Sequence, residues 1–320
     1  MLPLLVWVGI FLVSLFVLIK ASDYFTEAAE KIGLFFRVPA FIIGVTIIAI
    51  GTSLPELISS IIAVLKGSSE IVIANVIGSN IANIFLILGI AAILSKKLKI
   101  NFELIHVDLP FLVGSAFLLA ITVWDGVFTL AEGLLSIVGI IIYSIYTIKS
   151  EERLKDKEIK KEMKGYLKKR RKLGIKTVFV LIISGVFIYI GANYTIESVI
   201  KLSEILNIGK ELIAITAVAL GTSLPELTVT LNLAKKGKPE MAVGNILGSS
   251  IFNALAVMGI PALFGALIIP QSILTFGLPM MLIATLLYFF ITQDNEITIW
   301  EGYMLIIFYV FFIGKLFNIF

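Results

Sequence analysis

The sequence predicts an all-α integral membrane protein with about ten transmembrane helices, arranged as two inverted five-helix repeats. The first observation is composition: 59% of the 320 residues are hydrophobic, 15% are charged, and the mean hydropathy is +1.05. Soluble domains carry about 25% charged residues. The second is that several apolar runs reach the ~20 residues that cross a bilayer as a helix. The third is a seven-residue stretch that occurs twice.

Composition also excludes several kinds of site. The chain has no cysteine, so disulfides and thiolate metal sites are excluded. His106 is the one histidine and cannot build a zinc site by itself; beside Asp108, at the edge of a span, it is predicted to be interfacial. The first apolar run, Leu2–Ile19, lacks a basic leading region and a small-residue cleavage site. It is therefore predicted to be a first span and not a signal peptide.

Hydropathy and the positions of glycine and proline predict the spans in order. No stretch alternates with period two over ~10 residues, so all spans are predicted to be helices, which satisfy their own backbone in lipid. The first half, residues 1–148, holds predicted spans 1 to 5 at Leu2–Ala21, Pro39–Leu65, Ile71–Leu94, Leu109–Trp124 and Val127–Ile148. After a charged linker at 149–176, the second half, residues 177–320, holds spans 6 to 10 at Val178–Tyr194, Leu212–Ala234, Met241–Leu263, Ile273–Thr292 and Trp300–Ile319.

The second half repeats the first. Gly51–Leu57 and Gly221–Leu227 both read GTSLPEL, and an offset of 170 residues aligns Gly44–Ile93 with Ala214–Leu263 without a gap. About 20 of those 50 positions are identical, which indicates duplication. Because each half has an odd number of spans, the second half enters the membrane from the opposite side. The predicted two-fold axis therefore lies in the membrane plane.

Lysine and arginine predict the orientation. They concentrate in alternate loops, at Lys31, Arg37, Lys96, Lys97, Lys99, Lys168 to Lys172, Lys235, Lys236 and Lys238. Basic loops face the cytoplasm. In a cell membrane the 149–176 linker is then cytoplasmic and both termini are extracellular. The linker also contains acidic residues, which leaves two interpretations open: a solvated helix, or a segment that binds anionic lipid headgroups.

Each repeated stretch places a glutamate beside helix-breaking residues within an apolar run. Ionisable groups at membrane depth are functional-site candidates, and matching breaks in two inverted halves are typical of transporter sites. Proline removes a backbone donor, so carbonyls near the break are expected to lose helical partners. Together with adjacent hydroxyls and two carboxylates, this predicts an all-oxygen site for a hard cation such as Ca²⁺. The residues are Ala49, Thr52, Ser53 and Glu56, and Ala219, Thr222, Ser223 and Glu226.

Spans 3 and 8 supply neutral polar side chains at intervals of four residues, so that each set lies on one helix face. The sets are Asn75, Ser79 and Asn83, and Asn245, Ser249 and Asn253. Gly78 and Gly248 are expected to let helix backbones approach closely. Polar faces in lipid should point inward, toward the carboxylates. For Asn75 and Asn245, interhelical hydrogen bonding that holds the breaks in shape is favoured over ion binding.

The paired GTSLPE stretches, each followed by Gly-Ser-x-x-x-Asn, resemble the two α-repeats of the cation/Ca²⁺ exchanger superfamily. The prokaryotic members of the sodium/calcium exchanger branch fit best, over essentially the whole chain. The resemblance implies that Glu56 and Glu226 bind Ca²⁺ with the carbonyls of Thr52 and Thr222. It implies Na⁺ ligands in the carbonyls of Ala49 and Ala219 and in Ser53, Ser223, Ser79 and Ser249, and it places Asn83 between the glutamates. Asn253 stands where some members have aspartate, which argues against potassium co-transport and leaves two site carboxylates.

The resemblance further implies alternating access, with long tilted spans 1 and 6 sliding past the other eight. The leading functional prediction is a secondary antiporter that exchanges Na⁺ for Ca²⁺. A proton/Ca²⁺ antiporter of the same fold and, less well supported, a passive cation channel remain alternatives. The sequence has no nucleophile–base pair or phosphate-binding loop, so an enzyme is not predicted. The sequence also predicts no cofactor, no nucleic-acid partner and no obligatory protein partner. The expected partners are the lipid bilayer and the two transported ions, Na⁺ and Ca²⁺.

Overall fold

The computed structural model describes residues 2–35, 49–95, 97–99, 102–153, 174–235, 239–294 and 296–319. Among these residues, eight helices are long and apolar enough to cross a membrane. Two shorter apolar helices, Leu54–Leu65 and Asp108–Thr122, lie where spans 2 and 4 are predicted. The prediction of an all-α integral membrane protein is confirmed. The count of ten spans stays a prediction, with which these positions agree.

The elements of each half follow in chain order. The first half contains α1 (Leu2–Phe35), α2 (Ala49–Thr52), α3 (Leu54–Leu65), α4 (Glu70–Ile81), a π-helical stretch (Ala82–Leu88), α5 (Gly89–Ser95), β1 (Lys97–Lys99), α6 (Phe102–Thr122), β2 (Val127–Phe128) and α7 (Leu130–Arg153). The second contains α8 (Ile175–Leu206), α9 (Lys210–Ile213), a π-helical stretch (Ala214–Val218), α10 (Ala219–Thr222), α11 (Leu224–Lys235), α12 (Pro239–Phe252), a π-helical stretch (Asn253–Val257), a 3₁₀ turn (Pro261–Leu263), β3 (Leu267–Ile268), a π-helical stretch (Ile273–Gly277), α13 (Leu278–Ile291), β4 (Glu296–Thr298) and α14 (Ile299–Leu316).

The helices that carry spans 1 and 6 are longer than the predicted spans. α1 has 34 residues and α8 has 32, and at ~1.5 Å per residue both exceed the ~30 Å hydrocarbon layer. Hydropathy falls where charged residues begin, but the helices continue through them. Lys20 pairs with Asp23 at 3.1 Å and Lys201 with Glu204 at 2.9 Å, both at the i,i+3 spacing that suits a helix surface.

α1 and α8 lie side by side and contact each other along their lengths. Gly191 lies so close to α1 that a methyl group there would be 2.8 Å from the backbone nitrogen of Leu18. The Thr195 hydroxyl donates a 3.0 Å hydrogen bond to Ser14 Oγ within this otherwise apolar interface. The pair exposes large apolar side chains elsewhere, including those of Phe16 and Phe179, as a lipid-facing surface requires.

α4 and α12 form the centre of the bundle. Residues 71–85 and 245–259 are buried without interruption. A helix buried on all sides is expected to be apolar all round, so the serine and asparagine side chains on these two helices are exceptions. Their polar atoms must find partners within the protein or in a bound ion.

Two short antiparallel ladders connect the halves, and the prediction of helices alone does not include them. β1 pairs with β4, with Lys97 opposite Thr298, and β2 pairs with β3, with Phe128 opposite Leu267. The 170-residue offset that aligns the repeats converts the first pairing into the second, since it relates Lys97 to Leu267 and Phe128 to Thr298. Both ladders therefore join one half to the other in the same register.

Candidate ion-binding site

The two copies of GTSLPEL interrupt helices as the sequence predicts, and each interruption is one residue long. Ser53 separates α2 from α3 with φ −89° and ψ 7°, and Ser223 separates α10 from α11 with φ −83° and ψ 6°. These angles lie in the sparsely allowed bridge region, where many active-site residues are found. The two copies therefore have the same local backbone as well as the same sequence.

Proline explains where the helix restarts. Pro55 and Pro225 are the second residues of α3 and α11, a position that tolerates a missing N–H. Because each proline lacks the donor for the carbonyl four residues earlier, the carbonyls affected are those of Gly51 and Gly221. The expectation that Ala219 loses its helical partner is wrong, because its carbonyl accepts from the backbone N–H of Ser223 at 3.1 Å. A carbonyl oxygen has two lone pairs, so it keeps the capacity to bind an ion.

The two glutamates are fully buried and linked to each other's interruption. Glu56 is 0% exposed and Glu226 is 1% exposed. The Ser53 hydroxyl donates to Glu226 Oε1 at 3.0 Å, and the Ser223 hydroxyl donates to Glu56 Oε1 at 3.2 Å. Each carboxylate therefore lies at the opposite half's break. The structure brings the two predicted acidic ligands and their serines into one cluster.

Further donors surround these carboxylates. Both carboxylates belong to residues of a first helical turn, where backbone N–H groups lack a partner within the helix. Thr222 lies beside Glu56, and Thr52 and Ser249 lie beside Glu226. The positive end of a helix dipole favours an anion at this position.

These carboxylates have no basic partner in the part of the chain that the structure describes. The ion pairs there use other carboxylates, including Glu197 with Lys66 at 3.2 Å and Glu70 with Lys210 at 3.2 Å. A buried carboxylate without a counter-charge is costly, by several kcal/mol. A bound cation or a proton is therefore needed to neutralise the pair.

α4 and α12 bring their polar faces to the interruptions. Gly78 packs against the carbonyl of Ile215, so α4 of the first half lies directly on the broken helix of the second. Asn83 and Asn253 occupy equivalent places, the second and the first residue of π-helical stretches. Such stretches are frequent at functional sites. All six predicted polar residues of the two helices are buried: Asn75, Ser79, Asn83, Asn245, Ser249 and Asn253.

Asn75 and Asn245 make hydrogen bonds that hold helices together, the alternative given for them above. The Thr222 hydroxyl lies 3.5 Å from Asn75 Oδ1, and Asn245 Nδ2 donates to Thr230 Oγ1 at 3.2 Å. The first contact crosses between the halves, whereas the second stays within one half.

Several buried polar atoms of the predicted site residues lack a hydrogen bond to any described residue. These atoms are Glu56 Oε2, Glu226 Oε2, Ser79 Oγ, Ser249 Oγ, Asn253 Oδ1 and both amide atoms of Asn83. All but one are oxygens, and carboxylate, amide and hydroxyl oxygens are the donors that Ca²⁺ and Na⁺ take. No group of three histidine, cysteine or acidic residues occurs among the described residues, so this donor set has two charges and is otherwise neutral.

Asn80 contacts a predicted site residue and was not itself predicted from the sequence. It lies next to Ser79 but outside the row of residues spaced by four. Its Oδ1 accepts from Asn253 Nδ2 at 3.1 Å, which connects α4 to α12. The signal available in the sequence was a mismatch, because the repeat has Ser250 at the equivalent position. His106 was predicted to be interfacial, and its side chain lies outside the described part.

Comparisons with known proteins agree on one family. A family model described as sodium/calcium exchanger protein matches residues 6–149 and 176–317. The chain is 36% identical to the sodium/calcium exchanger MaX1 of Methanosarcina acetivorans, over 97% of this chain and 98% of that protein. It is 29% identical to the inner membrane protein YrbG of Escherichia coli, over 80% and 79%.

Solved structures give the same result. The sodium-calcium exchanger NCX_Mj soaked with 2.5 mM Na⁺ and 10 mM Sr²⁺ has a TM-score of 0.68 and 30% identity, covering 97% of this chain and 99% of that one. The same exchanger soaked without Na⁺ and Ca²⁺ has a TM-score of 0.65, covering 98% and 99%. The likeness therefore extends over both halves.

Proposed function

This chain belongs to the sodium/calcium exchanger protein family, and from that premise we propose that it is a secondary active antiporter exchanging Na⁺ for Ca²⁺ by alternating access. Glu56 and Glu226 are the charged ligands of Ca²⁺ in this proposal. The carbonyls of Thr52 and Thr222 complete the Ca²⁺ site. Na⁺ ligands come from Ser53, Ser223, Ser79 and Ser249 and from the carbonyls of Ala49 and Ala219, with the amides of Asn83 and Asn253 between them.

The reciprocal serine–carboxylate contacts carry this proposal. Ser53 donates to Glu226 and Ser223 donates to Glu56, so both carboxylates belong to one buried cluster. Each carboxylate leaves its second oxygen without a partner among the described residues. Two acidic oxygens and surrounding neutral oxygens suit a divalent hard cation.

Charge balance explains why the site would exchange ions instead of leaking them. One Ca²⁺, or two Na⁺, neutralises the two carboxylates. An empty site that takes up no proton would keep two uncompensated buried charges, which costs several kcal/mol for each. Loaded states can then move through an occluded arrangement, while the empty state is disfavoured. One ion therefore leaves only as the other is bound.

α1 and α8 are the proposed moving pair. α1 lies against both interruptions, since a methyl group on Gly51 would collide with Thr26 and one on Gly221 would collide with Leu15. These two α1 residues are about 16 Å apart along the helix. A shift of α1 along its axis would therefore change its contacts with both helix interruptions at the same time. The apolar outer surface of the pair leaves few polar anchors against such a shift.

The orientation within this proposal follows from charge. The two halves, 1–148 and 177–320, face opposite ways in a cell membrane, with the 149–176 linker on the cytoplasmic side and both termini outside. The excess of lysine and arginine in alternate loops supports it. The lipid bilayer is the expected partner, and no protein partner is required by the proposal.

Calcium uptake into vesicles tests the function. Purified protein in liposomes loaded with Na⁺ should take up ⁴⁵Ca²⁺ when diluted into Na⁺-free medium, because the outward Na⁺ gradient drives exchange. A pH gradient of equal size without Na⁺ should give background uptake. Uptake with the proton gradient alone would establish the proton/Ca²⁺ alternative. Uptake without any gradient, at channel-like rates, would establish a passive pore.

A further inference from the structure

Asn80 makes three contacts from a deeply buried position. It lies on α4 with 3% of its surface exposed. Its Nδ2 donates to the backbone carbonyl of Ser250 at 3.2 Å and lies 3.8 Å from the sulfur of Met281. Its Oδ1 accepts from Asn253 Nδ2 at 3.1 Å. All the hydrogen-bonding groups of this amide are thus directed toward the second half of the chain.

The Ser250 carbonyl determines how both amides are oriented. A carbonyl oxygen only accepts, so the nitrogen of Asn80 must face it. The oxygen of Asn80 then faces Asn253, which must present its own nitrogen. The oxygen of Asn253 is therefore turned away from Asn80, and it is buried without a hydrogen bond to any described residue. The backbone carbonyl of Ser250 thus fixes the orientation of the Asn253 amide through Asn80, which hydrogen-bonds to both.

Among the described residues, the second half offers no equivalent support to Asn83. The 170-residue offset relates Asn253 to Asn83 and Asn80 to Ser250. The Ser250 hydroxyl makes no hydrogen bond to a described residue, and neither amide atom of Asn83 does. A serine side chain is one bond shorter than that of asparagine and carries a hydroxyl in place of the amide. The Asn83 amide can therefore present either its oxygen or its nitrogen, whereas the Asn253 amide presents its oxygen.

We propose that Asn80 is a positioning residue that holds Asn253 with its amide oxygen directed at the transported cation, so that the two halves of the site bind the ion unequally. The inference rests on the proposed function, because it assigns Asn253 to the ion. A ligand oriented in advance loses less freedom when the ion binds. Asn80 therefore raises Ca²⁺ affinity without touching the ion.

Calcium titration of purified protein tests the role without any gradient. Asn80→Ala should raise the Kd for Ca²⁺ about tenfold, the size of effect seen when support for a metal ligand is removed. In vesicles the same variant should raise the KM for Ca²⁺ to a similar degree and change the maximal rate less than about twofold. Asn80→Ser reproduces the second half's residue and serves as the second variant where alanine prevents folding.

A double-mutant cycle separates positioning from structural support. If Asn80 acts through Asn253, then Asn80→Ala should have almost no further effect on Kd in an Asn253→Ala background. Tyr288→Phe is the matched control, since it removes another buried hydrogen bond onto α12, from Tyr288 to the Val243 carbonyl at 3.0 Å. It should lower thermal stability and leave Kd within about twofold.

Three results would overturn the proposal: an unchanged Kd in both Asn80 variants, an equal loss in the Asn253→Ala background, or an equal loss in Tyr288→Phe. Wild-type protein that binds Ca²⁺ but shows no Na⁺-driven uptake would reject the exchange function, and the Kd comparison would still decide the role of Asn80. Wild-type protein that binds no Ca²⁺ would reject both.

Discussion

The two halves match in the charged part of the site and differ in the neutral part. Ser53 reaches Glu226 and Ser223 reaches Glu56 at distances that differ by little, 3.0 and 3.2 Å. The amides do not match, because Asn253 is held by Asn80 while Asn83 has no hydrogen-bond partner among the described residues. After the duplication, the paired carboxylates and serines thus stayed alike, whereas the hydrogen bonds of the two amides diverged.

A second difference concerns the surrounding helices. α1 lies against both interruptions, whereas α8 packs on α3 and α9. The site is therefore nearly symmetric at its centre and asymmetric in what covers it. The proposed alternating access would use this combination of a symmetric binding centre and a cover that differs between the two sides. The following predictions test which residues of the two halves contribute equally and which do not.

The largest effect is expected at the carboxylates. Glu56→Gln and Glu226→Gln should each reduce Na⁺-driven ⁴⁵Ca²⁺ uptake at least about a hundredfold, because loss of one partner of a buried charge cluster costs about 3–5 kcal/mol. The two losses should be equal. Glu204→Gln on α8 is the control, since Glu204 pairs only on the exposed surface. Wild-type uptake in either variant would reject these glutamates as Ca²⁺ ligands. Unequal losses would show that the two carboxylates do not contribute equally.

The serines should follow with a smaller effect. Ser53→Ala and Ser223→Ala each remove one hydrogen bond to a carboxylate, worth about 1.5–3 kcal/mol. We expect the KM for Ca²⁺ to rise about tenfold or more in each, and by the same factor, in the vesicle assay. Thr228→Ala, which loses only a bond to the carbonyl of Leu224 on an exposed face, should leave KM unchanged. A difference between the serine variants above about threefold would contradict the symmetry of the centre.

The α1–α8 pair should respond in stability. Gly191→Ala places a methyl group against the Leu18 backbone and should lower the unfolding free energy by about 1–3 kcal/mol. Gly185→Ala is the matched control on the same helix, because nothing lies within 4 Å of its added methyl. Thermal unfolding in detergent measures both. Equal melting temperatures for the two variants would mean that α1 and α8 do not pack as closely as described.

The smallest effect is expected at the Lys66–Glu197 pair, which joins the end of α3 to α8. Lys66→Gln removes a partly exposed ion pair and a bond to the Asn193 carbonyl. Such pairs contribute within about 1 kcal/mol, so uptake should change less than about twofold. The loss should shrink further at high ionic strength, because salt screens the pair. A large loss of uptake would show that α8 is anchored more firmly than α1.

The sequence predicted the two helix interruptions and the buried glutamates beside them because these features depend on local residues. Gly-Thr-Ser-Leu-Pro interrupts a helix through its own proline and glycine, and a buried glutamate beside such a break needs a cation or a proton. The membrane fold could be predicted from hydropathy because each apolar run is also a local feature of the sequence. The lengths of α1 and α8 were underestimated, because charged residues such as Lys20 and Lys201 lower hydropathy without ending a helix.

Contacts between the halves were less accessible to sequence reasoning. The ladder between Lys97–Lys99 and Glu296–Thr298 involves strands of three residues, too short for an alternating pattern. Asn80 lies outside the four-residue row that drew attention to Asn75, Ser79 and Asn83. Its role depends on a partner 173 positions away, and that pairing exists only once the two halves have packed together.

The matched strand ladders bear on how a chain of this kind arises. Each ladder takes one strand from either half, in registers that interchange when the halves do. A gene encoding a single half would therefore encode both kinds of strand. Two copies of its product, inserted in opposite directions, could then pair through two ladders. Fusion of the two copies would then have made that pairing permanent. Each half could afterwards change separately, as at the equivalent positions Asn80 and Ser250.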